Sequence, residues 1–176
     1  MYNRAFYPGR FQPFHLGHLH AIRHILKVSR EIVIGVAAAQ FNYTRENPFT
    51  AGERVEMIRL GVGDLWSRTY VIPIENVSNN LEWVTHVIAL TPRFDVVFTN
   101  NKLVKILFKR HGFRVEPIPW FKKDRCSGRI IRKLMLKGDE WKNLVPEDVA
   151  LFVERIDGVK RVREIFSLEE ARLPLR

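Results

Sequence analysis

Two histidines three residues apart, His15 and His18, stand in the stretch Gly9-Arg10-Phe11-Gln12-Pro13-Phe14-His15-Leu16-Gly17-His18. Ahead of it Ala5-Phe6-Tyr7 reads as a buried first strand. After it Leu19, Ile22, Ile25 and Leu26 follow a helical period. The histidines therefore fall at a strand-to-helix turn, where main-chain amides and the positive end of a helix can receive phosphate. Gly17 leaves room for an anion to approach the main chain, and two imidazoles can donate to phosphate oxygens. The pattern points to a nucleotide site; the bland alternative is that both rings merely cap and pack the helix. A zinc site built from His15, His18, His20 and His24 lacks a nearby acidic or cysteine ligand. Cys126 lies beside Ser127 with no histidine near it in sequence, so it reads as a packed thiol rather than a nucleophile.

The elements that would hold this turn alternate. Residues 31–38 form a β-branched run suited to a buried parallel strand. Thr50 and Glu53 stand at the positions of a capping box opening a helix, with Arg54 free to hold the preceding loop or to reach a phosphate. Residues 69–74 read as a third strand, Pro73 placing it near an edge. A helix opens at Asn79-Asn80, with Asn80 and Trp83 one turn apart near its start. Residues 94–99 and 113–118 supply strands four and five, with a helix through Leu103, Val104, Leu107 and Phe108 between them. Ser127 to Leu136 begins another helix, two more are expected from Gly138 to Phe166, and residues 167–176 read as a loose tail. Strand–helix alternation argues for an α/β, doubly wound parallel sheet of about five strands with a helical C-terminal segment. Ligands in such sheets lie beyond the carboxyl ends of the strands. The expected division is one domain over residues 1–176: a core to 138, C-terminal helices over 139–166, then the tail.

The stretch from Gly9 to His18 resembles the signature of the archaeal-type nicotinamide mononucleotide (NMN) adenylyltransferases, in the nucleotidyltransferase superfamily whose shared core is His-x-Gly-His. Asn47 to Arg54 (Asn-Pro-Phe-Thr-Ala-Gly-Glu-Arg) and Trp141-x-x-Leu-Val-Pro resemble the same family, so the likeness runs from about residue 4 to 165. It implies a Rossmann-like nucleotidyltransferase fold with strands one and four adjacent. The reaction it implies is transfer of AMP from ATP to the NMN phosphate, giving NAD and pyrophosphate. His15, His18 and Arg132 would act at the reacting centre. Gly9, Arg10, Phe11, Gly17, Asn100, Ser127 and Arg129 would meet ATP and its phosphates. Gln12, Asn80, Trp83 and Phe121 would meet NMN. Mg²⁺ is implied as the cofactor, held by phosphates and water with no ligand from the protein. A homo-oligomer, possibly a hexamer, is implied too. The chain departs from the family at two places. Arg129 stands where Ser-x-Thr-x-x-Arg expects threonine, and Asn42-Tyr43 stands where Ser-His is expected.

Composition narrows the remaining classes. The 176 residues are 46% hydrophobic, enough for a globular core. No apolar run approaches the roughly 20 residues of a membrane span. With one cysteine and no charged-then-apolar leader pattern, a cytoplasmic location is expected. The net charge is +10, and the segment Lys102 to Lys137 carries all of it: twelve basic residues against Glu116 and Asp124. Such a surplus suits nucleic acid, an acidic membrane or a polyphosphate. No zinc finger, basic zipper or aromatic platform accompanies it, and Gly-x-Gly-x-x-Gly is missing, so a conventional dinucleotide cofactor site is not expected. The family resemblance implies ATP, NMN and NAD as partners, with no nucleic acid and no membrane. The rivals are a related nucleotidyltransferase with another phosphate acceptor, and a non-catalytic nucleotide sensor or RNA-binding module.

Overall fold

In the computed structural model, which describes residues 1–121, 126–138 and 140–171, five strands form one parallel sheet. They are β1 (Tyr2–Gly9), β2 (Ser29–Ala37), β3 (Thr69–Ile74), β4 (Val96–Phe98) and β5 (Arg114–Glu116), in the order β3-β2-β1-β4-β5. Seven α-helices are described: α1 (Leu16–Val28), α2 (Ala51–Val62), α3 (Asn80–Leu90), α4 (Lys102–Arg110), α5 (Gly128–Lys137), α6 (Glu147–Arg155) and α7 (Gly158–Ala171). Single 3₁₀ segments, Gly63–Arg68 and Glu140–Leu144, precede β3 and α6. The chain winds outward from β1 in both directions, so β1 and β4 meet at the switch point, pairing Ala5 with Val96 and Phe6 with Val97. β3 lies on an edge, as Pro73 requires.

The alternation of side chains along the strands divides the core. Ala5, Tyr7, Ile32, Ile34 and Val36 face α1, α2, α5, α6 and α7; Phe6, Val33 and Val97 face α3 and α4. Both faces are covered by helices, which is why the central strands are apolar on both faces through their buried middles, Ala5–Tyr7 and Ile32–Ile34. No described helix is long and apolar enough to cross a membrane.

Differences from expectation have local causes. β1 begins at Tyr2 because Asp95 accepts hydrogen bonds from the amides of Asn3 and Arg4 at 2.8 and 3.1 Å, tying the strand's start to the approach of β4. β5 stops at Glu116 because the Asn100 side chain takes over: its amide donates to the Ile118 carbonyl and accepts from the Ile118 N–H, at 2.8 and 3.0 Å. Asn79 caps α3, accepting from Leu81, which makes Asn80 its first residue. α7 runs on through Ala171, into the residues read as a loose tail, since Phe166 packs against the core and Glu169 reaches Arg45. The polar stretch after Phe121 and the end of the expected tail lie outside the described residues.

Candidate active site

Two cavities open beyond the carboxyl ends of β1 and β4. The first, about 680 Å³, is lined by Gly9, His15, Gly17, His18, Asn100, Trp120, Phe121, Cys126, Ser127 and Arg129 among others. The second, about 700 Å³, is lined by Gly9, Arg10, Phe41, Thr44, Glu46, Asn47, Asn80 and Trp83. Pro8, Gly9, Thr99 and Asn101 border both. Each is of small-molecule size, and the ends of β1 and β4 form their common wall.

His15 is the N-cap of α1 and His18 its third helical residue, and together they form a capping box made of imidazoles. The His15 ring accepts the His18 N–H at Nδ1 (3.3 Å), and the His18 ring accepts the His15 N–H at Nδ1 (3.2 Å). This geometry fixes the tautomer. With both Nδ1 atoms accepting, each neutral ring carries its proton on Nε2 and has that N–H to give. The rings stack at 3.6 Å, and Phe11 and Phe14 pack on His18 at 4.5 and 5.6 Å. Burial pushes the His15 pKa down to about 3, and burial with the neighbouring ring pushes that of His18 well below its ordinary value. Near neutral pH the pair is therefore a set of neutral donors, not the cationic pair that would cancel phosphate charge directly. Two amides of the first turn of α1 are already spent as well: the Gly17 N–H meets the Cys126 sulfur at 3.1 Å, and the His18 N–H meets His15. Space beside Gly17 is also taken, since a Cβ there would lie 3.0 Å from the His15 ring. Glycine at 17 leaves room for the imidazole to fold back, and Gly17 lines the first cavity beside it. Cys126, without a histidine nearby in sequence, has His15 Nδ1 at 3.5 Å in space.

Positive charge enters from arginines. Arg54 is fully buried and donates to the carbonyls of Arg10 (3.0 Å), Ala37 (2.9 Å) and Ala38 (3.2 Å). It holds the loop before α2 rather than reaching a phosphate. Arg132, buried on α5, donates to the Gln12 carbonyl at 2.6 Å. Burial first, and Arg10 second, lower both guanidinium pKa values to about 10, so both remain charged near neutrality. Two buried cations bonded to carbonyl oxygens flank the exposed Arg10, which leaves a positive field on the 10–12 turn between the cavities.

Four expected contacts fall elsewhere. Gln12 is buried and its amide is consumed by the main chain of Phe49, donating at 2.9 Å and accepting at 3.0 Å, so it ties the turn to the loop before α2 instead of lining the NMN side. Phe11 is core: its ring fills the space over Gly9, where a Cβ would lie 2.9 Å away, and anchors a backbone at φ 52°. That left-handed conformation is costly for a bulky residue and is held by packing. Arg132 lines neither cavity; it supports the turn from behind. Phe121 lies on the first cavity, stacked on His20 at 5.0 Å, away from Asn80 and Trp83. The remaining expected residues do converge. Asn80 and Trp83 share the second cavity with Arg10, while Asn100, Ser127 and Arg129 share the first with the histidines. Ser127 caps α5, accepting from Ile130 at 3.4 Å, and Arg129 is exposed beside it. Thr50 and Glu53 form the capping box of α2.

Phe41 and Glu46 of the second cavity carry no local sequence signal, whereas Asn47 heads the Asn47–Arg54 stretch.

Residues 6–134 match the cytidylyltransferase-like family. The nicotinamide-nucleotide adenylyltransferase of Methanolobus tindarius is 48% identical over 162 residues, 92% of this chain and 94% of that protein. That of Pyrobaculum aerophilum is 48% identical over 173 residues, 96% of each. Among solved structures, a bifunctional NMN adenylyltransferase/ADP ribose pyrophosphatase from Francisella tularensis matches 97% of this chain with a TM-score of 0.82. At 18% identity that likeness concerns the fold, and this chain spans 54% of that protein's length. The chain thus belongs to the cytidylyltransferase-like family of nucleotidyltransferases, in the branch of the archaeal nicotinamide-nucleotide adenylyltransferases.

Proposed function

We infer that the protein joins ATP and NMN into NAD, the first cavity taking the adenine nucleotide and the second the NMN. The observation that carries this reading is the shared wall at Pro8, Gly9, Thr99 and Asn101. Two ligands of nucleotide size, entering from opposite sides, would bring their phosphates together there, beside Arg10 and the paired histidines. An oxygen of the NMN phosphate attacks the α-phosphorus of ATP, the bond from that phosphorus to the bridging oxygen of the β-phosphate breaks, and pyrophosphate leaves with the electron pair. A phosphate monoester has its second pKa near ~6 and is mostly dianionic at neutral pH, so it attacks without a general base. What the chain supplies is alignment and charge compensation. Nε2–H donors of His15 and His18 orient phosphate oxygens. The field of Arg10, Arg54 and Arg132 offsets the repulsion between two anions. Trp83 and Asn80 offer a ring face and an amide to the cationic nicotinamide.

A divalent ion such as Mg²⁺ fits as a passenger on the triphosphate. The described lining of the first cavity offers imidazole, amide and hydroxyl groups without a carboxylate, a set suited to phosphate oxygens and metal-bound water. The ion supplies neutralisation of phosphate charge. Exposed Leu81 and Ile88 on α3, with Ile106 on α4, support assembly of copies into a homo-oligomer. The single cysteine suits a reducing interior, so the place of action is the cytoplasm.

The test is NAD formation from ATP and NMN, run against CTP as donor and against pantetheine phosphate, glycerol phosphate and flavin mononucleotide as acceptors. Turnover with ATP and NMN exceeding every other pair is the expected result. No NAD from that pair, with turnover of another, moves the chain to a different acceptor.

A further inference from the structure

The wall of the second cavity opposite α3 is the loop between β2 and α2, residues 38–50, which contributes Phe41, Thr44, Glu46 and Asn47. Arg54 holds this loop from inside. Its outer side is held by a helix far away in sequence. Arg161 of α7 makes a two-pronged contact with Glu53, Nη1 to Oε2 at 2.6 Å and Nη2 to Oε1 at 2.8 Å. The same guanidinium donates to the Pro48 carbonyl at 3.3 Å and lies over the Tyr43 ring at 4.6 Å. One turn and a half further on, the Phe166 ring receives the Arg45 guanidinium at 4.2 Å, and Glu169 accepts from the Arg45 main-chain N–H at 3.3 Å. Helix α7 thus grips positions 43, 45, 48 and 53, bracketing Asn47.

Asn47 is buried, and its side-chain oxygen has no hydrogen-bond partner among the described residues. A buried acceptor left unmade costs about 1–3 kcal/mol, so it is held there against its own preference, at the rim of a cavity where a ligand can donate to it. Tyr43, at one of the two positions where the chain departs from its family's pattern, is the residue on which Arg161 stacks.

We propose that α7 is a strap that positions the 38–50 loop for the acceptor nucleotide, with Arg161 its principal contact and Asn47 the group it presents. This rests on the second cavity being the NMN side. Arg161 lines neither of the two cavities, so it acts through the loop: its loss weakens NMN and spares ATP, whose cavity shares none of residues 38–50.

The experiment compares unaltered protein with Arg161→Met, Arg161→Lys and Glu169→Gln. Steady-state kinetics give the two KM values separately, and hydrogen exchange follows the amides of residues 39–49. The expected result for Arg161→Met is a KM for NMN raised about tenfold, with that for ATP within about twofold of its original value. Faster exchange in the loop accompanies it. Arg161→Lys, which keeps the charge and loses the paired donors, falls between, and Glu169→Gln shows a smaller change of the same kind. Equal rises in both KM values, or unchanged loop exchange, overturn the strap. If the unaltered protein makes no NAD, the substrate assignment fails by itself, and the exchange data still decide whether α7 orders the loop.

Discussion

Replacing the histidine capping box by one that does not titrate separates its structural role from its chemistry. Asparagine caps as well as any residue at position 15, and glutamine serves at the third helical position in a capping box, so His15→Asn with His18→Gln preserves the start of α1. The free-energy difference appears on acidification. His15 has a folded pKa of about 3 against an unfolded value of 6.5. A group whose proton is held less tightly in the fold contributes stability above its unfolded pKa, and loses it as pH falls from 6.5 towards 3. At pH 5 the unfolded chain has gained the proton and the folded chain has not. That is about 1.5 pH units, or about 2 kcal/mol, from His15 alone. His18 adds in the same direction, burial and the His15 ring both disfavouring its proton. Urea denaturation at pH 7.5, 6.0 and 5.0 measures it. Glu53, whose carboxyl is held low by Arg161, loses its contribution only below its ordinary value of 4.5, outside this window. The original protein is expected to lose at least about 2 kcal/mol between pH 7.5 and 5.0, and the double variant far less. Parallel losses refute the reasoning, for they would mean that the rings accept protons in the folded chain as readily as out of it.

Other perturbations probe neighbouring links. His18→Gln alone removes the outward N–H of one ring, and turnover should drop by about 10² or more while the melting temperature at pH 7.5 stays near its original value. Gly61→Ala places a Cβ 2.4 Å from the Phe14 ring, which buttresses His18; thermal denaturation should show a loss of about 1–3 kcal/mol. Ser127→Ala removes the cap of α5 and should cost about 1 kcal/mol by denaturant titration. Because Arg132 lies on the same helix, turnover should fall with it. Trp83→Phe keeps a ring in the second cavity and loses the larger indole face; its KM for NMN should rise while that for ATP holds, read from the same two-substrate kinetics.

The sheet was legible in the sequence because its signals are local. Apolar runs, the Thr50/Glu53 box and Pro73 each act within a few residues, and each lies where its physics requires. The ends of β1 and β5 were not legible, because a single side chain from a distant segment decides each: Asp95 captures the amides of Asn3 and Arg4, and Asn100 replaces the ladder at Ile118. The site divides the same way. Residue types at 15, 18, 80, 83 and 127 announce their chemistry, but whether a polar group faces a ligand or the main chain depends on partners that spacing does not reveal. Gln12 finds Phe49, 37 positions on, and Arg132 finds Gln12 across 120. Both are polar groups inside a motif, and both serve the backbone of that motif instead of pointing out of it.

That inward service explains how neutral imidazoles can stand where a helix terminus would normally bind phosphate. The first turn of α1 has given two amides, those of His18 and Gly17, to the His15 ring and to the Cys126 sulfur, so an anion arriving there would find them occupied. Each ring, however, passes the donor on. Its Nδ1 takes a helix N–H, its Nε2–H becomes the outward donor, and hydrogen bonds in series polarise one another. The imidazole acts as an extension of the helix end, carrying the positive end of the dipole a ring's width beyond the backbone to the shared wall of the two cavities. Charging the ring would give more attraction at once, but at the cost of the cap, since a protonated Nδ1 can no longer accept. Burial that keeps both rings neutral is therefore what keeps the donors aimed. The guanidiniums of Arg54 and Arg132, bonded to main-chain carbonyls, are left with the exposed Arg10 to supply the charge.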